Sequence, residues 1–156
     1  MKKLCLVLLA IVLLALFSSV ADAGINAPDL IVRKVIVYPT SAVNVVYVPA
    51  DGSFVKVGFT FMVANYGTMT AQKSGTKVTL ILPNGSKQDF GVYRTNALAP
   101  LQSYMWPINN PAPGQIINFA MAGTNTLLVC ADALNQVQEG QEGNNCAKAF
   151  FNVKVK

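Results

Sequence analysis

Residues Thr126 to Phe150 read T-L-L-V-C-A-D-A-L-N-Q-V-Q-E-G-Q-E-G-N-N-C-A-K-A-F, and their pattern decides the fold. Apolar residues lead up to Cys130, polar residues and glycines fill the middle, and alternation resumes at Cys146. That order predicts a strand, a loop and a returning strand. In the returning strand Ala147, Ala149, Phe151, Val153 and Val155 share one face. Cys146, Lys148, Phe150, Asn152 and Lys154 share the other. Setting Cys130 opposite Cys146 puts both on the polar face and leaves Leu127, Val129, Ala131, Phe151 and Val153 for a core. The same register sets Asp132 opposite Asn144, within reach of a side-chain hydrogen bond. Three of the seven acidic residues, Asp132, Glu139 and Glu142, lie in or beside the loop.

The alternation continues upstream. From Ser53 to Ala64, Val55, Val57, Phe59, Phe61 and Val63 fall on one face, and Asn65-Tyr66-Gly67-Thr68 closes the run with turn residues. Leu30 to Tyr38 is rich in β-branched residues and reads as the first strand. Val43 to Val48 fits a short edge strand. Thr76 to Leu82 and Gln88 to Arg94 flank Pro83-Asn84-Gly85, where Asn-Gly signals a hairpin. Ser103 to Ile108 and Gln115 to Met121 fit two more strands around a Pro- and Asn-rich turn. No window beyond the opening residues carries a helical period. The expectation is an all-β protein, an immunoglobulin-like antiparallel β-sandwich of about seven to nine strands.

Residues 1–23 have the form of a signal peptide. Lys2 and Lys3 precede the 14-residue apolar run Leu4 to Phe17, and Ala21-Asp22-Ala23 is a small-residue cleavage site. A bilayer span needs roughly 20 such residues. Cleavage leaves residues 24–156 as one domain, expected outside the cytoplasm, secreted to an extracellular or periplasmic space, with no membrane attachment. The precursor carries a net charge of +5, and the mature chain keeps ten bases and six acids. Those bases are scattered along the sequence with no basic block, so no nucleic-acid partner is expected. Attraction to an acidic polymer is open but unspecific.

The chain has no histidine, which excludes Ser-His-Asp and Cys-His catalysis and histidine-ligated zinc. Cys5 leaves with the signal, and the remaining pair, Cys130 and Cys146, is expected to form a structural disulfide in an oxidising compartment. The bridge encloses 15 residues, worth about 3 kcal/mol of chain entropy. Asp51 and Asp89 have no acidic partner at a useful spacing, so no acid/base pair can be named. Asn84-Gly85-Ser86 is both a glycosylation acceptor pattern and a turn. Tyr104 and Trp106 share a face, which fits either a sugar-stacking pair or inter-sheet packing.

The closing run resembles the end of the CARDB family, the cell-adhesion-related domain of bacteria and archaea. That family ends a strand on Asp, then has Val, Glu-x-x-Glu-x-Asn-Asn and a last strand; Asp132, Val137, Glu139, Glu142, Asn144 and Asn145 match in order. Pro28-Asp29-Leu30, Asn65-Tyr66-Gly67-Thr68 and Leu98-Ala99-Pro100 resemble its other signatures. The similarity spans Pro28 to Val155. It implies a seven-stranded sandwich on the outside of a cell, with no enzyme activity. This chain departs from the family pattern in its Cys130–Cys146 pair and in Leu101 to Gly114, which looks like an insertion. Either Ser103 to Ile108 or Gln115 to Met121 then supplies the fifth strand.

Two readings of the acidic loop stand side by side. In one, Glu139, Asn144 and Asn145 hold the loop to its own backbone and to a neighbouring turn. In the other, Asp132, Glu139, Glu142, Asn144 and Asn145 offer hard oxygen ligands to calcium, without the spacing of a dedicated calcium loop. No other cofactor is expected. The expected function is a non-catalytic surface binding or adhesion module whose partner is a cell-surface protein or glycan. The alternative is a subunit that joins copies of itself into an extracellular fibre through bare strand edges or faces.

Overall fold

The computed structural model describes residues 26–38, 45–50, 58–106 and 122–156. The signal peptide read over residues 1–23, the expected strand over 115–121 and the first half of the run over 53–64 lie outside that set. Among the described residues the period-two stretches become eight strands, with no helix. They are β1 (Leu30–Tyr38), β2 (Val45–Val48), β3 (Gly58–Asn65), β4 (Ser74–Ile81), β5 (Lys87–Thr95), β6 (Ser103–Met105), β7 (Gly123–Cys130) and β8 (Cys146–Val155).

Two sheets form. One runs β1-β3-β6 and the other β2-β8-β7-β4-β5. Every pairing is antiparallel except β2 with β8, where Val45 to Val48 run parallel to Asn152 to Val155. The chain therefore changes sheet between β1 and β2. This is the one departure from a purely antiparallel sandwich, and a local period cannot reveal it. The β4–β5 hairpin closes as Asn-Gly requires: Gly85 takes φ +82°, and Leu82 N–H donates to Ser86 O at 2.9 Å. Ser103–Met105 pairs with β3, so the earlier of the two alternative segments holds a strand of the three-stranded sheet.

The core lies between the sheets. Phe61 and Val63 from β3, Val78 and Leu80 from β4, Leu127 and Val129 from β7, and Phe151 and Val153 from β8 are all essentially inaccessible. Burying each of these side chains is worth roughly 1.5–3 kcal/mol before entropy costs. At one end the core becomes aromatic. Trp106 lies 6.2 Å from the Phe61 ring and 5.2 Å edge-on to Tyr93, and Phe59 meets Phe90 and Tyr93 at 5.8 and 5.9 Å. Tyr104 meets Trp106 at 90°, so these two rings make an edge contact within the packing and no flat sugar platform.

Cys130 and Cys146 are joined. They pair directly across β7 and β8, with Thr126 opposite Phe150 and Leu128 opposite Lys148 further along. The bridge staples the outer side of the sheet, while Leu127, Val129, Ala131, Phe151 and Val153 face the core at 2% exposure or less.

Candidate functional site

The loop after the disulfide forms one pole of the sandwich. Ala131 N–H donates to Asn145 O at 2.9 Å, which extends the β7–β8 ladder one step past the bridge. The chain then turns sharply. Asp132 takes φ +42° and Asn135 φ +49°, the left-handed region that Asp and Asn tolerate best among residues with a Cβ. In that conformation the Asp132 carboxylate swings inward. Its Oδ1 accepts from Gln136 N–H at 2.9 Å and its Oδ2 from Val137 N–H at 2.8 Å. The expected contact with Asn144 is absent because parity stops applying where the strand ends. Asn144 instead donates to Asp29 Oδ1 at 2.9 Å. The fixed turn drives Val137 into the core, and Ala133 N–H ties the loop to β4 through Gly75 O at 2.8 Å.

Glu139 is the next anchor. It is buried, with Oε2 accepting from the N–H of Leu30, 109 residues earlier in the chain. Its Oε1 accepts from Asn145 Nδ2 at 2.9 Å. Glu142 caps the turn from the other side, its Oε1 accepting from Glu139 N–H at 3.1 Å. Gly140 N–H reaches Pro28 O at 3.0 Å. Burial pushes the Glu139 carboxyl up to about 7. The Leu30 N–H opposes that rise, while Glu142, Asp132 and Asp29 add to it.

A residue read from the sequence as the start of a turn and of a family signature, with no bonding role assigned to it, holds this pole to the opposite sheet. Asn65 is fully buried at the end of β3. Its Oδ1 accepts from Asp29 N–H and Gly67 N–H, both at 3.0 Å. Its Nδ2 donates to Met69 O at 2.7 Å and Leu98 O at 2.9 Å. All four of its amide's hydrogen-bonding positions are used. The turn it starts lies against residues 27–29, with Tyr66 N–H on Asp29 O at 2.7 Å and Thr68 N–H on Ala27 O at 3.0 Å. Gly67 is required there, because a Cβ at that position would sit 2.1 Å from Ala27 O. Four motifs far apart in sequence thus meet around one node: Pro28-Asp29-Leu30, Asn65 to Thr68, Leu98 and the closing loop.

A family model, CARDB, matches residues 27–149. The chain belongs to the CARDB family. Among solved structures, it is similar to the CARDB domain of a Pyrococcus furiosus protein in complex with di-metal ions. The two share 21% identity over 82% of this chain and 90% of that one, at a TM-score of 0.48. It is also similar to a domain, residues 272–376, of a Methanosarcina acetivorans protein described as a cell surface protein. There the identity is 23% over 82% of this chain and 93% of that one, at a TM-score of 0.49. A weaker likeness, 16% identity and a TM-score of 0.46, links it to β-glucosidase 3B from Thermotoga neapolitana, of which it spans only 16%. A comparison with curated proteins finds no match.

In this CARDB domain Asp132 and Glu139 commit both carboxylate oxygens to backbone and amide donors, and Glu142 and Asp29 commit one each. Among the described residues, no three His, Cys, Asp or Glu side chains converge as a metal-holding group. Beside the disulfide the loop borders a shallow cleft of about 660 Å³, lined in part by Cys130, Asp132, Gln136, Glu142 and Cys146. A bound ion there would have to displace hydrogen bonds that now hold the loop in place.

Proposed function

We propose that the protein is a secreted, non-catalytic binding or adhesion module displayed at a cell surface. The carrying observation is its membership of the CARDB family over residues 27–149. Three further features support it. Residues 1–23 have signal-peptide form, the Cys130–Cys146 bridge suits an oxidising compartment, and the polar groups of the closing loop bond to the domain's own backbone. No described helix is long and apolar enough to cross a membrane. The partner is a cell-surface protein or glycan.

The fibre reading draws no support from the sheet edges. β1 is interrupted by a bulge at Arg33, and Arg33 and Lys34 are exposed on it. β5 is kinked by a second bulge beside Gly91, whose φ is +102°. The remaining edges are short: β2 offers only four residues and β6 three. Bulges, charge and shortness are the usual guards against edge-to-edge growth. The test is to add labelled protein to cells of its source and follow saturable binding, with light scattering and electron microscopy of the same sample. Saturable binding by a low-mass species is expected. High-mass fibres with no cell binding would make self-assembly the better reading.

A further inference from the structure

The bases that look scattered in sequence are gathered in space. Nine lie among the described residues, and only Arg33 and Lys34 belong to the three-stranded sheet. The other seven lie on the outer face of the five-stranded sheet or at its rim. Lys148 and Lys154 project from β8 and Lys77 from β4, with Lys87 and Arg94 on β5. Lys73 and Arg94 line the same hollow at one corner, and Lys156 lies 5.6 Å over the Tyr47 ring at the opposite edge. The acids go elsewhere. Four of the five described ones (Asp29, Asp132, Glu139 and Glu142) are at the loop pole. The fifth, Asp89, is on the face but paired with Lys77 at 2.8 Å.

Register explains the gathering. Lys77 pairs with Val92 and Cys130, Lys87 with Ile81, and Lys148 with Leu128, so the outward residues line up in rows across strands that are distant in sequence. At about 3.4 Å per residue and 4.8 Å per strand, the five cations on the strands cover roughly 34 Å by 14 Å, with Lys73 and Lys156 beyond either end. Between them sit groups that suit a sugar. Phe150 is 59% exposed, with Lys148 and Asn152 two residues away on either side. Thr126 lies opposite Phe150, and Thr124 donates to Asn152 Oδ1 at 2.8 Å, a bond that does not use the Asn152 amide N–H groups. Two hollows of about 300 and 500 Å³ open on the same face, beside Arg94 and Lys73 and beside Lys87 and Leu128.

We infer that this face binds an acidic polysaccharide, a chain carrying carboxylates at intervals. Its charge complements the lysines, the Phe150 ring takes the apolar side of a pyranose, and Thr126 and Asn152 meet hydroxyls. A flat sheet interior offers a peptide neither a free edge nor a groove. Single-stranded nucleic acid wants successive rings to stack on, and this face has Phe150 at its centre and a second exposed ring, Tyr47, only at its edge with Lys156 over it. The inference rests on the binding-module reading and adds to it the site and the chemistry of the partner.

The experiment uses the full mature protein and immobilised polygalacturonate, with dextran, poly-dT and phosphatidylserine vesicles in parallel. Binding to polygalacturonate that weakens as salt rises, with dextran silent, is expected. Lys148→Glu with Lys154→Glu should weaken it roughly tenfold, and Phe150→Ala roughly fivefold. Arg33→Glu with Lys34→Glu, on the opposite sheet, should change it by less than about twofold. Circular dichroism of each variant checks that the fold is kept. Equal loss in the two charge-reversal pairs would overturn the inference, as would tighter binding to poly-dT or vesicles. Saturable binding to cells without binding to polygalacturonate would overturn it and leave the binding-module reading standing. Binding to neither would end both.

Discussion

Glu139 should make the protein less stable as pH rises from 5 to 8, against the usual behaviour of a hydrogen-bonded carboxylate. Its carboxyl is raised from an ordinary 4.5 to about 7 because burial outweighs the help of the Leu30 N–H, and the charges around it, Glu142, Asp132 and Asp29, are all acidic. The sign follows from proton counting. Between about 4.5 and 7 the folded state holds the proton and the unfolded state has lost it, so stability falls with pH across that window and levels off above it. At ~1.36 kcal/mol per pH unit the gap bounds the loss at roughly 3 kcal/mol. Gln138 and Gly140 on either side are open to water, which screens the carboxylate and reduces the expected loss to about 1–2 kcal/mol. For a domain of this size that is a fall of roughly 3–8 °C in Tm. Asp89, whose carboxyl is lowered first by its bond to Lys77, works the other way and below this window, losing its contribution as the solution turns acidic.

The decisive variant is Glu139→Gln. A glutamine still accepts from Leu30 N–H. If the Asn145 amide turns, its Oδ1, buried and without a hydrogen-bond partner, accepts the new N–H. Glu139→Gln should therefore melt like the wild type at pH 5 and about 1–2 kcal/mol more stably at pH 8, with no slope between. Glu139→Ala strands both donors and should lose about 2–4 kcal/mol against the wild type at pH 5, and about 1–2 kcal/mol less than that at pH 8, where the wild type has itself lost stability. Thermal unfolding followed by circular dichroism from pH 4 to 9, disulfide intact, measures all three. A flat wild-type profile, or a slope that survives in Glu139→Gln, would refute the reasoning.

Asp132→Ala should cost about 2–4 kcal/mol in urea unfolding, since it strands two loop N–H groups, and Asp132→Asn should recover part of that. Gly67→Ala forces a methyl into the Ala27 carbonyl and should destabilise by more than about 3 kcal/mol, read as a collapse in yield or Tm. Replacing Cys130 and Cys146 together with Ala should lower stability by about 2–4 kcal/mol yet keep the strand spectrum; two free thiols in native protein would defeat the premise. Calcium should be at most a weak stabiliser. If millimolar calcium raises Tm, Glu139→Gln with Glu142→Gln should abolish the rise, while unfolding by a chelator would make the loop a metal site.

Period two is a local property, so the strands were legible residue by residue. Leu30–Tyr38 and Cys146–Val155 have the bounds their side-chain pattern predicts, and the core list from β7 and β8 follows from parity alone. The placing of the disulfide on the outer face follows from the same counting. Parity lost its force where strands end. Asp132 turned inward because a left-handed residue, which alternation does not encode, reverses the chain there. Glu139 is legible as a loop acid, but its partner is Leu30, and Asn65 finds Leu98 across 33 residues. Such pairs depend on which strands become neighbours, and that is settled by how two sheets close over a shared core. The basic face has the same origin. Lys77, Lys87 and Lys148 are unrelated in sequence, and only the order β8-β7-β4-β5 brings them onto one surface, where their fields add.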